Sequence, residues 1–242
     1  MDYAILILAV VLGAAIAYYF QNNAKFSKNL LMFSAGLLLA ITVLDMFPSL
    51  YYNGGAHAGL WIIVGVGLQL ILEGLSKGIE HGHLHHHKSS HNGNNIIPLS
   101  VMLGLFIHSF LEGTPIIDAQ SGIHLHGGHS HHHSHSNILW ALSIHKVSES
   151  IVLATFLFSL NIKRIYQFLI LVFFAISAPI GAFVGSFLNP SWYPNVLGIV
   201  AGIFLHISSV IIFESNEKHN LNWQKLVLVF SGMILGIIIS LI

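Results

Sequence analysis

The chain contains no cysteine. That removes disulfides, thiolate metal ligands and cysteine nucleophiles together, and leaves the redox compartment open. Charge is almost as scarce. Only 7% of the residues are Asp, Glu, Lys or Arg, against roughly 25% in soluble globular proteins. Basic and acidic residues balance, nine against nine, so no surplus of positive charge points to nucleic acid. There is no His-Glu-x-x-His helix of the metalloprotease kind. No nucleotide-binding loop is present either. The first apolar stretch has no basic residue ahead of it, which argues against a cleaved signal peptide.

What the chain has instead is hydrocarbon: 55% of its residues are hydrophobic. A helix crossing a bilayer needs about 20 mostly apolar residues. Eight segments meet that need: 3–21, 29–50, 58–80, 96–118, 137–160, 164–187, 194–213 and 223–242. The expected fold is therefore all-α, a polytopic membrane protein forming one transmembrane domain over 1–242. Charge placement tests the count. Lys25, Lys28, Lys77, Lys88, Lys163, Arg164, Lys218 and Lys225 all fall on one side of an eight-helix topology. Loops 51–57, 119–136 and 188–193, on the other side, carry no Lys or Arg. By the positive-inside rule the basic side is cytoplasmic and both termini are extracytoplasmic. A miscount by one helix would destroy this alternation. The ninth basic residue, Lys146, lies inside the fifth span.

Two polar loops are rich in histidine. The cytoplasmic loop 81–95 holds His81, His83, His85, His86, His87 and His91. The extracytoplasmic loop 119–136 holds His124, His126, His129, His131, His132, His133 and His135. Short His-rich tracts are compositional metal-binding signals. Two of them, on opposite sides of one membrane protein, point to metal handling rather than to flexible linkers.

The spans themselves carry two His–Glu pairs: His108 with Glu112 in the fourth, and His145 with Glu149 in the fifth. An i,i+4 spacing puts imidazole and carboxylate on one helix face. Ionisable groups inside a membrane are costly and mark function. At 1.5 Å per residue, His108 lies roughly 15 Å and Glu112 roughly 9 Å from the external end of their span. His145 lies about 12 Å and Glu149 about 18 Å from the external end of theirs. The pairs are thus level near mid-membrane, where adjacent antiparallel helices would bring all four onto one cation. Two imidazoles and two carboxylates suit Zn²⁺; Fe²⁺, Mn²⁺ and Cd²⁺ are not separated from it by these residues. The bland alternative is a pair of helix-bridging His–Glu hydrogen bonds without metal. Pro115, following Gly113, is expected to kink the fourth span and free the carbonyl near position 111 for the ion or for water.

The runs His108-Ser109-Phe110-Leu111-Glu112-Gly113 and His145-Lys146-Val147-Ser148-Glu149 resemble the paired signature motifs of the ZIP (Zrt/Irt-like) metal transporters. Eight spans, external termini and a His-rich loop between spans three and four agree with that family. The resemblance implies that His108, Glu112, His145 and Glu149 are the primary transport ligands. It also implies alternating access, the span four/five unit moving against the other helices, and it is compatible with a homodimer. Many family members hold a second metal with an Asn after the first His and an acid after the second. Here those positions are Ser109 and Lys146, as in the HS/HK subgroup, and an ammonium cannot ligate a metal. A single-ion site follows, with Lys146 paired to Glu112 or Glu149; the alternative is that Lys146 turns away to Asp45.

The functional expectation is a transporter carrying zinc, or a related divalent cation, into the cytosol. The metal is substrate and not cofactor, no enzyme activity is expected, and the partners are metal ions and the bilayer. The plasma membrane is the expected location, with an organelle membrane as the alternative. Asp45, Ser109, Lys146 and His206 are secondary pathway residues, and His83, His85, His86, His87, His131, His132 and His133 are capture ligands in the loops. Glu73, Glu214, Asp118 and His57 are weaker candidates. Gln69, Thr42, Ser143 and Ser177 read equally as helix–helix contacts. Gly36, Gly65, Gly67, Gly104, Gly181 and Gly185 read as close helix approaches or sliding surfaces. Two other readings use the same residues: an intramembrane zinc hydrolase, and a membrane metal sensor or buffer working through the His tracts.

Overall fold

The structure is a computed structural model, and it describes residues 2–20, 24–76, 99–116, 132–160, 162–214 and 223–241. No strand occurs among them. The elements are α1 (Asp2–Tyr19), α2 (Ala24–Ile41), α3 (Phe47–Gly54), α4 (Ala58–Ser76), α5 (Leu99–Gly113), α6 (His132–Ser159), α7 (Arg164–Gly185), α8 (Tyr193–Glu214) and α9 (Trp223–Leu241). Among the described residues, seven helical stretches are long and apolar enough to cross a membrane, the first of them running from Lys25 through α3 to Gly54. Tyr3–Tyr19 is a shorter apolar helix.

The outward faces explain the composition. Leu8, Ile63, Ile71, Phe168, Phe173 and Phe230 are all exposed. Helices apolar on the outside as well as the inside belong in a lipid solvent, where backbone groups must be satisfied within the helix. The inner faces of α2, α3, α6 and α8 meet in one core through Leu38, Ile41, Leu50, Leu142, Val200 and Phe204.

Two sets of helices pack closely within themselves, and the pairs α2 with α6 and α4 with α5 join the two sets. On one side α2 packs on α9 and α8, and α4 packs on α8. On the other, α1 packs on α6 and α7, and α5 packs on α7. Glycines sit inside these pairings. A Cβ on Gly36 would strike the Val229 carbonyl of α9, one on Gly65 the Ile199 carbonyl of α8, and one on Gly181 the Phe110 carbonyl of α5. Gly185 likewise abuts Thr114, Gly67 meets nothing, and Gly104 faces α4. Most of these glycines therefore join helices within one side, with backbones touching. Only Gly104 lies on a seam between the two sides.

The second span is not one continuous α-helix. Thr42–Met46 is a π-helical segment, in which the Phe47 N–H donates to the Thr42 carbonyl five residues back. Pro48 follows within the first turn of α3. Proline has no N–H to return to Leu44, and the wider turn is a standard way to absorb that loss. The proline at 115 acts differently: α5 ends at Gly113, and residues 114–116 tighten into a 3-10 turn. The Thr114 hydroxyl donates to the Leu111 carbonyl at 2.7 Å. The carbonyl expected to face the ion is thus capped by a side chain of its own helix. The fifth span, Asn137–Ser159, agrees with the expected 137–160, while the helix that carries it starts earlier, at His132.

Candidate metal centre

α5 and α6 bring the two pairs together. One ligand atom from each of His108, Glu112, His145 and Glu149 lies within 4.8 Å of the others, and all four side chains are buried. His108 Nε2 is 3.1 Å from Glu112 Oε1 and 3.4 Å from Glu149 Oε1. His145 Nε2 is 3.6 Å from Glu112 Oε1 and 4.0 Å from Glu149 Oε2. The two pairs thus converge between α5 and α6. One detail differs. The backbones of α5 and α6 are not among the closely packed pairs: α5 packs on α7 and α4, and α6 on α1 and α2. Imidazoles and glutamates are long enough to span the gap, which leaves room for an ion between the helices.

Lys146 occupies the same chamber. Its Nζ is 2.5 Å from Glu112 Oε2 and 2.7 Å from Glu149 Oε2, with the Phe174 ring 4.8 Å away. The ammonium thus takes one oxygen of each carboxylate, and the other oxygen of each faces His108. Pairing with Asp45 does not occur. Asp45 Oδ1 accepts from Ser240 at 3.1 Å and Asn137 at 3.5 Å.

The donor balance distinguishes a cation site from two closed hydrogen-bonded pairs. The Gln69 amide oxygen lies 3.1 Å from His108 Nδ1. A carbonyl oxygen only accepts, so Nδ1 carries the ring hydrogen and the Nε2 lone pair turns toward the carboxylates. Glu112 Oε1, Glu149 Oε1 and both ring nitrogens of His145 have no hydrogen-bond partner among the described residues. A neutral imidazole keeps one N–H, so His145 offers a single acceptor nitrogen. Together with Glu112 Oε1 and Glu149 Oε1 it makes a buried group of acceptors that is costly to leave without a donor, and a divalent cation with N/O ligands suits that group.

The remaining expected residues separate. Ser109 is buried against α7, its hydroxyl 2.5 Å from that of Ser177, and Ser177 also reaches the Phe174 carbonyl at 2.7 Å. His206, a secondary pathway candidate, and Glu73, a weaker one, form a pair across α8 and α4, Nε2 to Oε2 at 2.8 Å. Gln69 and Phe174 were missed as site residues. Gln69 did carry a signal, a buried amide one helical turn before Glu73 in an otherwise apolar span, whereas Phe174 carried none. His83, His85, His86, His87, His131 and Asp118 lie outside the described residues, as do the side chains of His132, His133 and Glu214. The letters Gly74-Leu75-Ser76-Lys77-Gly78 spell a Gly-x-Ser-x-Gly pattern. Ser76, however, ends a helix and its hydroxyl donates to the Glu73 carbonyl, so it is no strand-to-helix nucleophile elbow.

Among curated proteins none matches the chain. The family model described as ZIP Zinc transporter matches residues 73–242, a stretch that includes both His–Glu pairs and Lys146, and the chain belongs to that family.

Proposed function

We propose that this protein moves zinc, or a closely related divalent cation, into the cytosol by alternating access around one ion. His108, Glu112, His145 and Glu149 hold that ion, and Lys146 takes the place of a second metal. The observation that carries the reading is the division of the carboxylates. Both Oε2 atoms are held by Lys146, while both Oε1 atoms face His108 Nε2.

The charges suit a carrier. Two carboxylates and one ammonium sum to −1 (−2 + 1), and a bound dication brings the site to +1 (−1 + 2). Neither state exceeds one unit of charge, so neither is prohibitively costly in low dielectric. Without Lys146 the values would be −2 and 0, which favours holding the metal over releasing it. His/carboxylate ligation without thiolate also suits release.

An eight-span topology with external termini accords with the helices. α1 adds a short eighth crossing, and Lys25, Lys163, Arg164 and Lys225 lie at the starts of α2, α7 and α9 on a common side. Glycine contacts within each side of the bundle suit two internally rigid units, the moving one containing α5 and α6. The His tracts serve as capture ligands on each side. Asp45 lies toward the external face and His206 toward the cytoplasmic one.

Proteoliposomes loaded with a zinc indicator test the proposal. The wild type is expected to take up Zn²⁺ down its gradient. H108A and H145A are expected to reduce uptake more than about 100-fold, beyond what loss of an outer partner costs a metal site. Uptake that survives both substitutions overturns the site assignment. Deleting 81–91 and 124–135 should alter regulation and spare flux; loss of all binding would favour a buffer.

A further inference from the structure

We propose that Gln69 is a positioning residue for His108, supplied across the α4–α5 seam, so that the strength of metal binding depends on how α5 sits against α4. The inference rests on the transport-site reading above and deepens it.

Three observations carry it. First, Gln69 is completely buried in α4, and its amide oxygen lies 3.1 Å from His108 Nδ1. That contact sets both the tautomer and the ring orientation. An imidazole that ligates through one nitrogen is held by what the other donates to, and removing such a partner typically costs 10–100-fold in metal affinity. Secondly, the two histidines differ. His145 has no hydrogen-bond partner for its second nitrogen among the described residues, so this device acts on one ligand of the four. Thirdly, the bond joins helices whose main partners differ: α4 packs chiefly with α8 and α5 chiefly with α7, and α4 and α5 also pack on each other. Gly104, one turn from His108, makes the contact possible. A Cβ there would lie 3.0 Å from the Ser76 nitrogen and 3.1 Å from the Leu72 carbonyl, so any larger residue would push α5 a few tenths of an ångström away from α4.

The consequence is mechanical. A slide of α5 along α4 by one helical turn, about 5.4 Å, breaks a 3.1 Å hydrogen bond. His108 then loses its orienting partner, and the site weakens as the two sides part. Binding is tight where the metal is captured and looser where it is released, with no change in the ligands themselves.

Zinc affinity of the purified, full-length protein, measured by competition with a fluorescent zinc chelator, tests the role. Q69L is expected to bind zinc about 10–100-fold more weakly. Q69E restores an acceptor for Nδ1–H and should recover most of the loss. In an H108A background, Q69L should add nothing, because Gln69 acts through His108. If Q69L fails to fold, as judged by gel filtration, the cycle is run with Q69A against H108A and the same coupling is required. Wild-type affinity in Q69L, or a loss that adds to that of H108A, overturns the proposal. Zinc binding unchanged in H108A would overturn the transport-site reading itself, and so the two failures are distinguishable.

Discussion

The α5 and α6 halves of the candidate metal centre are built from the same pair of residues and are held in different ways. His108 leans on Gln69 of α4, whereas His145 has no partner for either ring nitrogen among the described residues. Glu149 is one turn from its own cation, Lys146, at 2.7 Å, whereas Glu112 borrows that cation from the facing helix. The α5 half is therefore oriented by another helix, and the α6 half carries its own counter-charge. Identical ligands in a motif do not make identical halves of a site.

Locking the α5 half should have the largest effect. The chain has no native cysteine, and a Cβ built on Gly104 lies 3.2 Å from that of Ser76. That is a few tenths of an ångström short of the usual disulfide spacing of about 3.5–4.5 Å. Oxidised S76C/G104C is expected to bind zinc and to stop uptake, with reduction restoring it. Undiminished flux through a fully crosslinked sample would refute movement along this seam.

Stripping the α6 half of its cation comes next. Lys146→Met leaves two buried carboxylates without a partner, a loss of about 3–5 kcal/mol in the zinc-free protein. Zinc would replace the missing charge, so it should raise the melting temperature of K146M more than that of the wild type, bind more tightly and leave more slowly. Equal shifts in both proteins would show that Lys146 is not part of the ion's electrostatics.

Acid pH affects both halves, because protons compete with metal for imidazole and carboxylate. Uptake should fall as external pH drops, and a flat profile would argue that the ligands are wrong. The smallest effect is expected outside either half. Asp45 holds Asn137 on α6 and Ser240 on α9, and Asn137 lies eight residues before His145, about 12 Å along the helix axis. Asp45→Asn should raise the apparent KM a few-fold and leave the maximal rate intact. A fall in the rate alone would assign Asp45 to packing.

Much of this protein is local, and the sequence alone determined it. Hydropathy and a shortage of charge mark a helical membrane protein, because a backbone in hydrocarbon must satisfy itself within each span. Spacing and rise put the two His–Glu pairs level, because both follow from helix geometry alone. Lys146 was legible as an anomaly, a charge where none is cheap. Only the tertiary structure decided what the anomaly does. Whether Lys146 meets Asp45 or both glutamates depends on the rotation of α6 against α5 and α2, which no periodicity encodes. The same holds for Gln69, one amide among several until α4 lies beside α5, and for the Leu111 carbonyl, which Thr114 claimed by a local bond. Ligand types and depths follow from helix geometry; partners follow from helix packing, which is set by contacts far apart along the chain.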